Sequence, residues 1–440
     1  MRIRWPKLCR GVSPRLYLAS TTFVAAVVYA LIVGAVIFTD PDGVFAALGY
    51  RSVDPTAEQL FLASLGRYPV PQGNREAKIL DSYWYKPTAI IFGSSNVWSY
   101  FDTNDPLLRQ PDGRRPYNFG LAGESIVEME QSLRHVVTIA PPQFTMFNLE
   151  FFMFNGRRPD WLAEYPLAFL PDAKLRRLQT IKKYVVGYQP VITLAEGARG
   201  ALIKAISIPE AHSQTMASPS GEPAATTNVV QRSRLRDVDR LEIAVLYLTL
   251  PSELGTGNPG PFSFNLPEGG STFDSFRRTL DIVAANRAQV RIFLSPHEVR
   301  EYEIIRALGL WPLYKTWIRE LASAVRTFNE GRPCAQQASL LDFGGYGLLN
   351  DDHLIEDVPD QLFSRFADSF HYTTETGRRI ISSVMKQDCT SPAVGDIFVD
   401  LAKADVEAHL DQVDRDREAF AARHPDEVAD VKSVIDSLRE

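Results

Sequence analysis

The sequence predicts an α/β fold built on a buried parallel sheet, and three observations support this. Short apolar segments recur along the chain, each bounded by Pro, Gly or polar residues, as is typical of strands buried in a parallel sheet. Helical patterns with apolar residues three and four positions apart lie between them, and such alternation is typical of layered α/β domains. The chain is also 45% hydrophobic over 440 residues, enough to bury a sizeable core. The strand segments are 88–92, 144–149, 290–294 and 339–343, and the clearest helical segments are 124–138 and 272–286.

The charge balance argues against one class of partner. The formal net charge is −6, which does not indicate a basic surface of the kind that carries clustered Lys and Arg. Binding to nucleic acid requires such a cluster, because the phosphates must be neutralised. We therefore expect no nucleic-acid partner.

The N-terminus predicts a membrane anchor. Residues 16–38 carry no charge, and as a helix they would extend about 35 Å, against a hydrocarbon core of about 30 Å. The alternative is a cleaved signal peptide, but its apolar region would be shorter, and the nearest small-x-small site, Val33-Gly34-Ala35, lies inside the stretch. We expect an uncleaved single-pass anchor.

Charges on the two sides of this stretch predict its orientation. The preceding segment is basic and the following one begins with Asp40 and Asp42. A short basic end stays in the cytoplasm, so the N-terminus would be cytoplasmic at the inner membrane and the main domain periplasmic or extracellular. The basic residues are Arg2, Arg4, Lys7, Arg10 and Arg15.

Composition divides the rest of the chain. A helical pattern over 161–208 and a Ser-, Thr-, Pro-, Ala- and Gly-rich stretch over 213–228 predict an insertion at about 156–240. Residues 241–250 fit either a strand or a core helix. The predicted organisation is 1–15 cytoplasmic, 16–38 transmembrane, 39–86 connecting, 87–390 the α/β domain with its insertion, and 391–440 a charged helical C-terminal extension.

The C-terminal extension predicts two helices that break near His424-Pro425. Residues 396–440 contain 13 acidic and 6 basic side chains, a net charge of −7. A solvated helical face explains this better than a tail that binds a partner, because most charged runs are solvated faces.

The expected topology predicts the redox environment of the three cysteines. Cys9 would face the reducing cytoplasm, whereas Cys334 and Cys389 would face an oxidising space. The latter two would form a disulfide or remain two separate thiols, and the sequence leaves both open.

Two distant motifs predict nucleophilic chemistry. Gly93-Ser94-Ser95-Asn96 follows the first apolar strand, and Asp368-Ser369-Phe370-His371 lies far downstream, before a helical pattern at 374–385. A serine on a turn after a buried strand is accessible at the sheet edge where ligands bind. It needs a histidine as base, oriented by a carboxylate.

These motifs resemble the blocks of the SGNH (GDSL-like) hydrolase and acyltransferase superfamily. Gly93-Ser94-Ser95 is similar to the first block, the stretch from Asn118 to Ser125 to the second, and Asp368-Ser369-Phe370-His371 to the last. The resemblance covers about 87–386. It implies a three-layer α/β/α domain with a parallel central sheet, Ser95 as nucleophile, Asp368 and His371 as acid and base, and an oxyanion hole formed by the amides of Ser95 and Gly123.

The chain departs from the family pattern twice. The third block normally offers an asparagine after a glycine-rich turn, but residues 147–155 contain no glycine, so neither Asn148 nor Asn155 aligns cleanly. We expect Asn155 or another group to replace the missing oxyanion donor, or the protein to be a slow or lost catalyst. Ser94 also replaces the usual aspartate before the nucleophile.

Further polar residues are candidate substrate contacts. Ser94 and Asn96 flank the candidate nucleophile, and Glu150 follows a strand, where it would bind substrate or a cation or form a salt bridge. His297, after another strand, is a rival base or a substrate contact. The aromatic residues Trp311, Tyr314 and Trp317 are better explained by packing than by a sugar platform.

No spacing typical of a metal site or a phosphate-binding loop occurs, so we expect no metal and no cofactor. With its membrane anchor, the chain resembles the proteins that O-acetylate exported polysaccharides, such as the alginate O-acetylation proteins. This resemblance implies an esterase or O-acyltransferase that acts on acetyl esters of a polysaccharide or another acylated glycan, with a membrane-bound protein as acyl donor. The alternative is an inactive relative that binds polysaccharide or scaffolds an envelope assembly.

Overall fold

A computed structural model describes residues 14–39, 71–158 (without 112 and 114), 160, 162, 224–248, 261–352 (without 348) and 362–438. The chain divides into two compact units. One consists of Met1–Trp84 and Tyr165–Pro219, and the other of Tyr85–Glu164 and Ser220–Glu440. The predicted helical segment 161–208 lies almost wholly outside the described residues, as do the connecting segment up to residue 70 and residues 213–223 of the low-complexity stretch. The remaining residues of that stretch, 224–228, are helical.

The described part of the first unit is helical. Helix α1 is Pro14–Thr39 and helix α2 is Pro71–Tyr85. Within α1, Tyr17–Gly34 has a mean hydropathy of 1.9 and is long and apolar enough to cross a membrane. The predicted N-terminal apolar helix is therefore confirmed by length and composition, whereas its orientation stays a prediction.

The second unit contains a six-stranded sheet. Its strand order is β2-β1-β3-β4-β5-β6; the first five strands are parallel, and β6 pairs antiparallel with β5. The strands are β1 Ala89–Gly93, β2 Tyr117–Gly120, β3 Phe144–Leu149, β4 Gln289–Leu294, β5 Ser339–Asp342 and β6 Val399–Asp400. The α/β prediction is thus confirmed, and the expectation of a parallel sheet is corrected at β6.

The apolar strand sequences explain the centre of this sheet. Every residue of β1 and β3 is buried, as expected for strands covered on both faces. Phe92 and Phe147 stack at neighbouring register positions with ring centroids 5.6 Å apart. Burial of each such ring stabilises the fold by roughly 1.5–3 kcal/mol.

Helices connect and follow the strands, close to the predicted positions. Helix α4 (Ile126–Ile139) begins with a capping box between Ser125 and Glu128. Of the segment 241–250, residues 241–247 are helical, because α5 (Ala224–Glu242) continues as a π-helical turn at Ile243–Tyr247; residues 249 and 250 lie outside the described residues. The helices are α3 Ser95–Tyr100, α4 Ile126–Ile139, α5 Ala224–Glu242, α6 Thr272–Ala285, α7 Val299–Ala307, α8 Trp311–Asn329, α9 Thr374–Lys386, α10 Val406–Arg423 and α11 Pro425–Ser437.

The aromatic residues of α8 belong to the core. Trp311, Tyr314 and Trp317 are all buried, and Phe151 packs against Tyr314 and Trp317 with centroid separations of 5.4 and 5.6 Å. The interpretation as packing residues is therefore confirmed.

The charged C-terminal segment packs against the sheet domain. The predicted break near His424-Pro425 is confirmed, because α10 ends at Arg423 and α11 begins at Pro425. Arg417 bonds to Glu303, and Asp430 accepts from Arg300 at 2.7 Å. Part of the acidic charge thus pairs with basic residues of the same chain, and the sheet extends through β6 into this segment.

Cys334 and Cys389 form a disulfide with Cα atoms 5.4 Å apart. Of the two alternatives that the sequence left open, the bridge is the one found. It ties the turn before β5 to the segment after α9.

Candidate active site

A tight junction between β1 and α3 presents two adjacent serines. A Cβ atom at Gly93 would lie 2.5 Å from Val97 Cγ2 and 2.7 Å from Asn148 Cβ, so the junction has room only for glycine. Ser94 caps α3 by accepting from the Asn96 amide at 3.3 Å. Ser95 is therefore the first residue of α3, at the carboxyl end of β1, the second strand of the sheet.

Ser95, His371 and Asp368 form a continuous hydrogen-bonded relay. Ser95 Oγ lies 2.8 Å from His371 Nε2. His371 Nδ1 lies 2.9 Å from both carboxylate oxygens of Asp368. We call these three residues the Ser95 relay; this is the geometry that a nucleophile, base and orienting acid require.

The loop that carries Asp368 and His371 is fixed from two sides. Asp368 Oδ1 accepts the amides of Phe370 and His371 at 2.8 and 2.9 Å. Asn96 donates to the Phe370 carbonyl at 2.9 Å and accepts from the Tyr372 amide at 3.2 Å. Asn96 therefore joins the helix of Ser95 to the residues on both sides of His371, which brings Ser95 and His371 together.

The electrostatics of the relay favour a charged pair at rest. Burial lowers the pKa of His371, but Asp368 beside it outweighs burial and raises the pKa to about 10. Burial by itself raises the pKa of Asp368, but His371 and the amides of Phe370 and His371 outweigh it and lower the pKa below its usual value. The same partner that orients the imidazole thus makes it a stronger base.

A second network begins at Ser94 and leads into the interior. Ser94 Oγ donates to Glu150 Oε1, which also accepts from Asn96 at 3.4 Å. Glu150 Oε2 lies 3.8 Å from His297 Nε2, and His297 Nδ1 lies 2.5 Å from Glu301 Oε2. We call Ser94, Glu150, His297 and Glu301 the Ser94 network.

Burial dominates the chemistry of the Ser94 network. It raises the pKa of Glu150 despite the opposing effects of His297 and Ser94. Burial lowers the pKa of His297, but Glu301 and Glu150 bring it above the usual value. His297 also lies 3.0 Å from the Phe370 carbonyl, so it supports the loop of His371 and does not contact Ser95.

The two predicted oxyanion residues lie in different settings. Gly123 has a φ of 62° in the loop after β2, and its carbonyl accepts from Arg158 at 2.6 Å. The Asn155 side chain donates to Leu246 O at 3.4 Å and accepts from the amides of Arg157 and Ser263. Among the described residues, neither Gly123 nor the Asn155 side chain forms a hydrogen bond to Ser95 or His371. Both oxyanion assignments therefore stay predictions.

The sequence reasoning missed an ion-paired support for the histidine loop. Ser369, between Asp368 and His371, donates to Asp239 Oδ1 at 2.7 Å. Asp239 is fully buried and accepts from Arg300 at 2.9 Å, and Arg300 also bonds to Asp430 of α11. Asp239 falls in the predicted insertion, where a single carboxylate on a polar helix gives no signal of its own.

Glu242, the last residue of α5, interacts electrostatically with the Ser95 relay. Burial raises its pKa to about 7, with His371 and Asp368 exerting opposite effects. It directly precedes the π-helical turn, a feature frequent at functional sites. A carboxylate within the apolar run 241–250 was the available signal.

The described residues contain no group of three or more His, Cys, Asp or Glu side chains that could hold a metal ion. Comparison with protein-family models gave no match, and no curated protein matches the chain. The chemistry must therefore be argued from the site itself: the Ser95 relay can deprotonate a serine hydroxyl and later return the proton to a leaving alcohol.

Proposed function

We propose that the protein is a membrane-anchored, extracytoplasmic SGNH-like serine esterase or O-acyltransferase that acts on acetyl or other acyl esters of an exported polysaccharide. The observation that carries the proposal is the Ser95 relay, with 2.8 Å between Ser95 and His371 and 2.9 Å between His371 and Asp368. Residues 276 positions apart meet in this way, at the strand edge where α/β proteins bind ligands.

The mechanism proceeds through an acyl-serine. In its neutral form, His371 accepts the proton of Ser95 Oγ on Nε2 as that oxygen attacks the ester carbonyl, and the negative charge forms on the carbonyl oxygen. The amides of Ser95 and Gly123 stabilise that oxygen. Collapse breaks the ester bond, and His371 returns its proton to the departing alcohol. Water or a sugar hydroxyl then attacks the acyl-serine, with His371 again as base, which gives hydrolysis or transfer.

Two features outside the site support the location and the substrate class. Helix α1 is apolar enough to span a bilayer, and its basic N-terminal flank favours a cytoplasmic N-terminus. The Cys334–Cys389 disulfide is typical of an oxidising compartment. An acylated glycan outside the membrane, supplied by a membrane-bound acyl donor protein, is the substrate that the family resemblance implies.

An ester assay on the detergent-solubilised full chain tests this proposal. Ser95→Ala should reduce hydrolysis of p-nitrophenyl acetate about 10³-fold or more, because the nucleophile is lost. Ser99→Ala, an exposed serine on the same helix, is the matched control and should retain the wild-type rate. Equal rates for Ser95→Ala and wild type would reject the serine mechanism.

The second candidate is an inactive relative that binds polysaccharide or scaffolds an envelope assembly. It is favoured by the Asn155 side chain, which bonds to Leu246, Arg157 and Ser263. If the wild-type protein hydrolyses no ester but is retained on a column of immobilised glycan, that result would support this candidate.

A further inference from the structure

A buried arginine contacts the loop that carries the proposed oxyanion glycine. Arg158 is only 6% exposed. Its Nη2 atom donates to the Gly123 carbonyl at 2.6 Å, and its Nη1 atom donates to the Val245 carbonyl at 3.2 Å. One guanidinium therefore joins the loop after β2 to the π-helical turn that follows α5.

The segment that carries Arg158 is itself fixed. The Arg158 amide donates to the Asn155 carbonyl at 3.1 Å, and a Cβ atom at Gly156 would lie 2.5 Å from the Asn265 carbonyl oxygen. The guanidinium carbon of Arg158 lies 5.2 Å from the centre of the Phe152 ring, within the range of a cation–π contact. The arginine is thus held in place before any substrate binds.

Gly123 lies in a turn that begins beside the proposed nucleophile. The Glu124 amide donates to the Leu121 carbonyl at 2.9 Å, which closes a four-residue turn with Gly123 at its third position. The φ of 62° at that position favours glycine. The Leu121 amide donates to the Gly93 carbonyl at 2.8 Å, so the turn starts at the junction that leads to Ser95.

The peptide group between Gly123 and Glu124 is held from both sides. Its N–H donates to Leu121, and its carbonyl accepts from Arg158. Because a glycine lacks the Cβ atom that restricts other residues, these two bonds restrict the orientation of Gly123. The Gly123 amide donates no hydrogen bond within the part of the chain that the structure describes, and the residue is half-buried. This amide is therefore available to a ligand.

The charge of Arg158 strengthens its contacts. A guanidinium donor forms stronger hydrogen bonds than a neutral donor, and its planar fork reaches two acceptors at once. Burial raises the pKa of Glu242 to about 7, and both His371 and Arg158 oppose that rise. The arginine and the Ser95 relay therefore lie near the same carboxylate.

We propose that Arg158 is a positioning residue for the oxyanion hole. It holds Gly123 so that the glycine amide donates to the ester carbonyl oxygen as negative charge forms there. This contact compensates for a third block in which no asparagine follows a glycine-rich turn. The inference rests on the proposed ester chemistry, and Arg158 itself contacts no reacting atom.

Pre-steady-state kinetics of p-nitrophenyl acetate hydrolysis by the solubilised full chain test this role, because they separate ester binding from acylation of Ser95. Arg158→Ala should lower the acylation rate constant about 10²-fold. The dissociation constant of the ester should change less than about threefold, since the oxyanion forms only during the reaction. Phenylboronic acid, which forms a tetrahedral adduct with a reactive serine, should bind to the variant more weakly by a factor similar to the loss in rate.

Arg157→Ala is the matched control. It removes the adjacent half-buried arginine and should give wild-type values for all three quantities. The proposal is overturned if acylation of Arg158→Ala is within about threefold of wild type, if weaker ester binding accounts for the whole loss, or if the affinity for phenylboronic acid is unchanged.

Thermal melting shows whether each variant is folded. If Arg158→Ala is unfolded, Arg158→Lys takes its place; it keeps the charge but loses the planar fork, and should acylate about tenfold more slowly than wild type. A wild-type rate in Arg158→Lys would then count against the proposal.

Ser95→Ala separates this proposal from the ester chemistry on which it rests. If Ser95→Ala and wild type react equally with the ester, the serine mechanism fails and the role of Arg158 fails with it. If Ser95→Ala is inactive while Arg158→Ala reacts like wild type, only the role of Arg158 fails.

Discussion

The two adjacent serines at the end of β1 have the same types of partner and different surroundings. Ser95 contacts His371, whose side chain is 17% exposed, and Asp368 is 18% exposed. Ser94 is fully buried, and the His297 and Glu150 side chains of its network are only 7% and 2% exposed. The two serines therefore differ in their exposure and in whether they contact the histidine directly, and both conditions are needed for the nucleophile and base pair that we propose.

The order of the partners differs as well. In the Ser95 relay the histidine lies between serine and carboxylate, so it can take the hydroxyl proton while the carboxylate stabilises the imidazolium. In the Ser94 network the carboxylate of Glu150 lies next to the serine, and His297 comes after it. The first order suits proton transfer to a substrate, and the second holds the turn and the His371 loop in place.

Asp368→Asn gives the largest expected effect within this comparison. We expect ester hydrolysis to fall about 10²- to 10⁴-fold, since the imidazole loses its orienting anion. His371 acts as base only when neutral, and Asp368 raises its pKa to about 10. The rate of ester hydrolysis by the wild type should therefore rise with pH up to about 10. In Asp368→Asn, this rising part of the pH-rate profile should lie at lower pH.

A pH-rate profile of both proteins measures this shift. Asp368→Glu is the matched control, because it keeps the charge and should keep the alkaline limb at a reduced rate. A limb at the same pH in wild type and Asp368→Asn would contradict the coupling of the pair.

Glu150→Gln gives a smaller effect of another kind. Because Glu150 contacts no reacting atom in the proposed mechanism, its loss should change the rate less than about tenfold, through Ser94 and Asn96. Stability should respond to pH instead. Burial raises the pKa of Glu150, so its favourable contribution is present below about 4.3, the unfolded value, and is lost as pH rises towards the folded value.

Chemical denaturation of wild type and Glu150→Gln across pH 4 to 8 checks this. Relative to wild type, the variant should become more stable as pH rises. A constant difference in unfolding free energy across that range, or a rate loss as large as that of Asp368→Asn, would remove the distinction between the two networks.

The sequence predicted the parts of the fold whose signal is local. Strands β1, β3, β4 and β5 contain contiguous apolar residues, so the burial of most of their residues follows from composition; in β4, Gln289 is exposed and Arg291 half-buried. Strand β2 contains Asn118, whose side chain bonds to the Val97 carbonyl and the Gly120 amide. This polar residue interrupts the apolar pattern, so the sequence did not predict the strand. The two residues of β6 are too few to show a period.

The candidate site shows the same limit. The serine and histidine motifs are local patterns and could be found, and the structure brings them together. Asp239 and Asp430 support the histidine loop through Ser369 and Arg300, but they lie in the predicted insertion and the charged extension. Such long-range ion pairs depend on tertiary packing, and the sequence of either segment alone predicts only a polar helix.

The most direct test of the account is to locate the site of reaction with a fluorophosphonate. Peptide mass spectrometry with fragmentation between residues 94 and 95 should find the adduct on Ser95 of the wild type. His297→Gln loses a contact to the loop of His371 but none to Ser95, so it should label within about tenfold of the wild-type rate, whereas His371→Gln should label far more slowly. An adduct on Ser94, or equal labelling of Ser95 in His371→Gln and wild type, would contradict the central claim that His371 activates Ser95.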